Sequence, residues 1–255
     1  MTGLNALLLG FSGAASAGPV TLTAADGAAL RATSWGSGTH GVLLVHAEGR
    51  SAEDWSSLGE KLGSNGFRVL ALTLRGHGRS GQKPDPDAFP RMTADVDAGL
   101  AWLGDRGATE IHLVGAELGA NLGLTVAERS PAVTDLVLLS PQLNAHGFTI
   151  SGPIAGYGDR TLLVVASEDD GASAKAAKYL HDKATGHKQL TLYPSAGAGA
   201  RMLNSAADLE NLVLSWVNGT FLQATDPNAA KTADLRSGDM SDIETSGTRI
   251  EERDR

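Results

Sequence analysis

The chain has 255 residues, no cysteine and a formal net charge of −8. This length fits one large α/β domain or two small ones, and it can bury a sizeable core. The absence of cysteine excludes disulfides, thiolate metal sites and a cysteine nucleophile. The acidic balance disfavours nucleic acid or an anionic membrane as a partner, because both select basic surfaces. No apolar run reaches the roughly 18 residues that a membrane span requires.

Both ends of the sequence differ in residue pattern from the α/β domain that is predicted at 18–223. Residues 4–11 form a short apolar run, and Ala15-Ser16-Ala17 is typical of a signal-peptide cleavage site. No Lys or Arg precedes the run, so a frayed or misassigned N-terminus fits as well. The protein is therefore expected to be exported or periplasmic if residues 1–17 are a signal peptide, and cytoplasmic otherwise. Residues 224–255 have few apolar side chains and mixed charges, which predicts a disordered polar tail; a weakly docked extension is the alternative.

Strand and helix patterns alternate along the chain from the N-terminus. Residues 20–24 and 30–35 flank an Asp-Gly turn, which predicts an antiparallel hairpin. Apolar strands are then predicted at 41–45, 67–74, 111–115, 134–139, 161–166 and 189–193, with helices between them and a last helix at 206–217. The order predicts an α/β fold, a mostly parallel sheet with helices on both faces. Residues 141–160 are predicted as a glycine-punctuated connection, too short to form a lid domain.

Residues 111–127 carry the most informative pattern. Apolar, β-favouring residues lead into a break bracketed by Gly115 and Gly119, and Leu118, Leu122 and Val126 then follow at helical spacing. Strand, sharp turn and helix in this order are typical of a nucleophile elbow. The central residue of the turn is Glu117, which the parallel sheet would place in the crevice at the carboxyl ends of its strands.

Five motifs in the same order as in a known superfamily accompany this elbow. They cover a first strand and its loop, a glycine-rich loop, the elbow, an acidic turn and a final loop, at 44–47, 74–80, 115–119, 167–170 and 194–199. Over 19–219 the chain resembles the α/β-hydrolase superfamily, particularly small lidless enzymes of the dienelactone-hydrolase or esterase type. The resemblance implies an α/β-hydrolase fold, ester or lactone substrates and no cofactor.

The resemblance also locates the positions of a catalytic triad. In the family a serine attacks the substrate, a histidine takes its proton and an acid orients the histidine. The corresponding positions here are Glu117, Ala198 and Asp170, so the nucleophile and the base are both replaced. The backbone N–H groups of Ala47 and Leu118 correspond to the oxyanion-hole donors, which do not depend on side-chain identity.

Other polar residues do not restore the triad by their positions. His46, His77 and Ser195 are expected to line the crevice, with the two histidines in structural roles. Glu117 as a nucleophile would need a histidine-activated water, which Ala198 cannot supply. A cation held by Glu117, Asp170 and His46 would have few ligands, so no metal is predicted.

The sequence therefore predicts a catalytically degenerate hydrolase, a pseudoenzyme that binds a small-molecule ligand or a protein partner. The alternative is a residual carboxylic-ester or lactone hydrolase that uses non-standard residues. Two physical expectations follow for the crevice. It should be small, and burial together with Asp170 should raise the pKa of Glu117 against the opposing dipole of the following helix.

Overall fold

One eight-stranded sheet organises the fold. The structure, a computed structural model, describes residues 17–78 and 84–220. The proposed signal peptide, apart from Ala17, and the tail at 224–255 lie outside these residues. The strands are β1 (Gly18–Thr23), β2 (Ala29–Trp35), β3 (His40–Val45), β4 (Arg68–Thr73), β5 (Glu110–Ala116), β6 (Val133–Leu139), β9 (Thr161–Ser167) and β10 (Lys188–Tyr193), with a separate small hairpin of β7 (Asn144–Ala145) and β8 (Phe148–Thr149).

The strand order is β1-β2-β4-β3-β5-β6-β9-β10. β2 pairs antiparallel with both β1 and β4, and the remaining neighbours are parallel. The predicted α/β fold with an antiparallel N-terminal hairpin is therefore confirmed. β5 lies between β3 and β6, and its residues from Ile111 onward are buried on both faces. This central position explains its continuous apolar sequence.

Helices cover the two faces of the sheet. They are α1 (Ser56–Ser64), α2 (Met92–Asp105), α3 (Leu118–Arg129), α4 (Ser151–Tyr157), α5 (Gly171–Lys183), α6 (Met202–Ser205) and α7 (Leu209–Val217). α2, α3, α4 and α5 contribute to one continuous apolar core against the sheet. On the other face α1 packs against β2 and β4, and Lys61 bonds Glu210 to join α1 to α7. No helix in the described part of the chain combines the length and apolar character needed to cross a membrane.

The segment 141–160 differs from the expectation of a connection without regular structure. It contains the β7–β8 hairpin followed by α4. The side chain of Asn121, which is buried in α3, explains why the hairpin adopts a defined structure. Its amide nitrogen donates to the carbonyl oxygens of Gln142 (2.8 Å) and Phe148 (2.7 Å), and its oxygen accepts from the N–H of Gln142 (3.0 Å). Local periodicity could not reveal contacts that come from a helix about 20 residues earlier.

We expect Asn121→Ala to loosen this hairpin selectively. The substitution removes partners from three backbone hydrogen bonds, and a buried polar group left unpaired costs about 1–3 kcal/mol. Amide hydrogen exchange over 142–149 should become faster while exchange in β5 stays slow. Asn204→Ala, at an exposed position, is the matched control. Unchanged exchange over 142–149 in Asn121→Ala would show that other contacts hold the hairpin.

Candidate active site

The turn between β5 and α3 has the geometry of a strained elbow. Glu117 has φ 49° and ψ −112°, a conformation that L-residues rarely adopt outside constrained sites. Its N–H donates to the carbonyl oxygen of Leu139 at 2.9 Å. A Cβ at Gly119 would overlap the carbonyl oxygen of Val45, and one at Gly115 would overlap the backbone of Gly119. The two glycines therefore allow α3 to approach the sheet closely enough to form the turn.

The proposed oxyanion donors lie on the two elements that this approach brings together. Leu118 is the first residue of α3, where an N–H has no acceptor within the helix. Ala47 follows the end of β3, and both residues are buried. The tight contact of Gly119 with Val45 and His46 places the first turn of α3 against this loop. The assignment of Ala47 and Leu118 as oxyanion donors stays a prediction.

A cavity of about 530 Å³ lies beside Glu117. This volume falls within the range of small-molecule sites. The wall of the cavity combines two carboxylates with two exposed cationic side chains and one exposed apolar side chain, Leu143. Its wall consists of Glu117, Gln142, Leu143, Asn144, Asp170, Ala172, Ser173, Lys175, Ala198 and Arg201. The structure thus brings the three predicted triad positions to one cavity, which we call the crevice.

Glu117 is a partly buried carboxyl group of the crevice wall. Burial raises the pKa of its carboxyl; the positive charge of Arg201 acts in the opposite direction, and the negative charge of Asp170 raises the pKa further. The side chain extends toward the final loop, since a Cβ at Gly199 would lie 2.5 Å from its Oε1. The carboxylate of Glu117 therefore lies next to the loop at 194–199, where the base position of the triad is predicted.

Asp170 is oriented by the helix that follows it. Its Oδ2 accepts a hydrogen bond from the hydroxyl of Ser173 at 2.6 Å, and its Oδ1 accepts from the N–H of Ser173 at 3.3 Å. Asp170 is thus the N-cap of α5. A histidine introduced at position 198 would have to reach a carboxylate that Ser173 already holds in its capping orientation.

The two histidines expected to line the crevice lie inside the protein instead. His46 is fully buried; its Nε2 accepts from the N–H of Leu74 at 3.0 Å, and its Nδ1 donates to the carbonyl oxygen of Ala47 at 2.6 Å. His77 is also buried, donates from Nδ1 to the carbonyl oxygen of Arg75 at 2.9 Å, and packs edge-on against His46. Neither ring is among the residues of the crevice wall. Their bonds hold together the loops that follow β3 and β4.

Ser195 lies on the protein surface rather than in the crevice wall, and its hydroxyl donates to Asp169 at 2.9 Å. Sequence reasoning missed seven residues of the wall, among them Lys175, Arg201 and Leu143. The two cations follow Asp170 by five residues and Ala198 by three, so they could have been inferred by extending the helices from those positions. Leu143 depends on the hairpin placed by Asn121 and has no local sequence signal.

We expect His46 to make stability depend on pH. Burial lowers its pKa from 6.5 to about 4, so the unfolded chain takes up this proton first as pH falls. The stability that the neutral ring contributes above pH 6.5 is lost progressively between about pH 6.5 and 4, up to about 3 kcal/mol. Urea denaturation across this range should show the loss, and His46→Gln should flatten it. His181→Gln is the control, and an NMR pKa near 6.5 for His46 in the native protein would contradict the expectation.

Comparisons with known proteins agree with this architecture. The model of the Alpha/beta hydrolase family matches residues 42–239. Among solved structures, an esterase from Pyrococcus furiosus superposes with a TM-score of 0.67 at 15% identity, covering 80% of this chain and 92% of that one. A dienelactone hydrolase from Anabaena variabilis gives a TM-score of 0.67 at 16% identity, with 80% and 97% covered. At these identities the likeness concerns the fold.

Sequence relatives cover shorter regions. A non-heme haloperoxidase of Rhodococcus erythropolis is 36% identical over 90 residues, 35% of this chain and 32% of the relative. A non-heme chloroperoxidase of Streptomyces lividans is 34% identical over 123 residues, 47% and 44% of the two chains. The matched regions thus span less than half the length of these relatives. The family model covers most of the described domain, and the chain belongs to the α/β-hydrolase family.

Proposed function

We propose that this protein binds a small molecule in the crevice and does not carry out serine-type hydrolysis. The observation that carries the proposal is the position of the Glu117 side chain. It replaces the serine of the elbow, and its carboxylate lies beside Gly199, next to the position of the missing histidine. One residue thus takes the place of the nucleophile and extends into the space that the base would need.

The remaining hydroxyl of the crevice does not supply a substitute. Ser173 is buried and donates its proton to Asp170. A carboxylate is a far weaker base than imidazole, so this pair would not generate an alkoxide near neutral pH. The crevice wall carries two cationic side chains, Lys175 and Arg201, and two carboxylates, Glu117 and Asp170. These charges favour a ligand that has both negatively and positively charged groups and is small enough for about 530 Å³.

The proposal is tested by covalent labelling and by turnover. The full chain should not react with a fluorophosphonate probe and should not turn over short p-nitrophenyl esters above the buffer rate, under conditions in which an active serine esterase does both. A panel of small carboxylic acids, amines and lactones should shift the amide resonances of 115–120 and 170–175, and Glu117→Ala should change which compounds bind. Saturable turnover or labelling would overturn the proposal.

The second candidate is a slow hydrolase in which Glu117 acts as a general base. The raised pKa of Glu117, the backbone donors at Ala47 and Leu118, and the esterases among the structural neighbours favour it. In this scheme a water attacks the ester carbonyl, its proton passes to Glu117, and the two N–H groups stabilise the oxyanion. The tetrahedral intermediate then collapses with cleavage of the ester C–O bond, and Glu117 returns the proton to the leaving alkoxide, which departs as the alcohol.

The two candidates give different results with one variant. If Glu117 is the base, the full chain turns over short esters without fluorophosphonate labelling, and Glu117→Gln reduces the rate by roughly 100-fold or more. The Gln side chain keeps the size of Glu but cannot accept the proton. Turnover that survives Glu117→Gln would reject the general-base scheme, and the absence of turnover in the unmodified chain would favour ligand binding alone.

A further inference from the structure

A second cluster of ligating side chains lies at the opposite end of the sheet from the crevice. His40 begins β3 and is paired in register with Glu110, which begins β5. His112 lies two residues further along β5, on the same face as Glu110. One ligand atom from each of the three side chains lies within 4.8 Å of the other two. His40 and Glu110 are half exposed, whereas His112 is buried beneath them.

The hydrogen bonding of His112 is asymmetric. Its Nδ1 is bonded to the carboxylate of Asp135 on β6. Its Nε2 is buried and has no hydrogen-bond partner among the described residues. A buried nitrogen left without a partner is unfavourable and calls for an explanation. Because the carboxylate of Asp135 accepts a hydrogen bond from Nδ1–H, the lone pair of the neutral ring is on Nε2, the nitrogen that could bind a metal ion.

A carboxylate that holds one nitrogen of a histidine while the other binds metal is a recurrent arrangement. Such a carboxylate fixes the tautomer and the ring orientation and increases the basicity of the ligating nitrogen. Asp135 stands in this relation to His112. Two imidazoles and one carboxylate form a ligand set found for Zn²⁺, with water completing a four-coordinate site, whereas Ca²⁺ and Mg²⁺ prefer oxygen ligands alone.

We propose that His40, Glu110 and His112 form a binding site for a zinc-class divalent transition metal, with Asp135 as the positioning residue. The ion would connect the first residues of β3 and β5, two strands in the centre of the sheet. The site is separated from Glu117 by the length of β5, roughly 20 Å at about 3.3 Å per residue. Metal binding would therefore stabilise the folded state by mass action. The ion would be too far from the crevice to contact a molecule bound there.

Calorimetric titration of the untagged full chain with zinc chloride tests the proposal. We expect one ion to bind per chain, and the melting temperature to rise with zinc concentration. His40→Ala and Glu110→Gln should each weaken binding by tenfold or more and reduce the rise in melting temperature. Both residues are half exposed, so these variants should fold. Asp135→Asn should weaken binding by roughly 10–100-fold, as expected for a residue behind a metal ligand.

Two control variants keep the test specific. His181→Ala removes a histidine elsewhere on the surface, and Glu117→Gln removes a carboxylate of the crevice; neither should change zinc affinity. Substitution with Co²⁺ should give the visible absorption of a tetrahedral site, which His40→Ala abolishes. The proposal is overturned if zinc does not bind, if His40→Ala and Glu110→Gln bind it as the unmodified chain does, or if Glu117→Gln is the variant that loses it.

Discussion

The double variant Glu117→Ser/Ala198→His is expected to hydrolyse short p-nitrophenyl esters at least tenfold faster than either single variant. The reacting groups of a triad depend on one another, so their effects are strongly non-additive. The serine alone would have no base, and the histidine alone would have no nucleophile to activate. The elbow conformation at 117 and the glycines that permit it are already present.

The structure adds a steric reason for this non-additivity. The Glu117 carboxyl lies beside Gly199, so Ala198→His alone would bring an imidazole close to an occupied region. Glu117→Ser shortens the side chain and frees that space. Overpacking in the single variant would cost about 1–3 kcal/mol of stability, and the double variant should recover it. The melting temperatures of all three variants should therefore be measured beside the esterase assay.

Asp170 provides a refinement of the same experiment. The Ser173 hydroxyl holds the carboxylate in its capping orientation through Oδ2, so an imidazole at 198 must bond to it in that orientation. Adding Ser173→Ala should increase the rate of the double variant further, while Ser173→Ala in the unmodified chain should leave esterase activity at the buffer rate. A well-folded double variant with no gain over the single variants would show that the crevice has departed from catalytic geometry.

The second large effect is expected from Asp95→Ala, which should destabilise the protein by about 3 kcal/mol. Asp95 is completely buried in α2, where it accepts hydrogen bonds from the backbone N–H and the guanidinium of Arg75 at 2.5–2.8 Å. Removing it leaves a nearly buried guanidinium whose remaining ionic partner, among the residues that the structure describes, is Asp26. That remaining pair places the cost at the lower end for a broken buried pair. The melting temperature should fall by roughly 6–12 °C.

Asp97→Ala is the matched control for this prediction. Asp97 lies two residues further along α2 and forms an ion pair with Arg129 at 2.6 Å, but both side chains are substantially exposed. Exposed pairs contribute about 0–1 kcal/mol because water screens them. Chemical denaturation of the two variants should therefore separate burial from ion pairing as such. Equal losses in Asp95→Ala and Asp97→Ala would contradict the role given to burial.

Several features of this protein were accessible from sequence because they depend on local pattern. The buried strands are continuous apolar runs, and the elbow requires glycines on both sides of residue 117. The predicted mostly parallel sheet with an antiparallel N-terminal hairpin is observed. The residues at 117, 170 and 198 are likewise known from the sequence, and their assignment to the nucleophile, acid and base positions of a triad stays a prediction. Exact ends of elements were less accessible, as with the last helix, which begins at Leu209 rather than 206.

Long-range contacts decided the features that the sequence left open. The burial of His46 and His77 follows from the way the loops after β3 and β4 pack together, which neither loop reveals by itself. The β7–β8 hairpin depends on Asn121, and the direction of the Glu117 side chain depends on its approach to Gly199. His40, Glu110 and Asp135 meet around His112 because parallel strands place residues far apart in sequence side by side. Sequence periodicity determines which face of an element is buried, but only tertiary packing determines which side chains meet there.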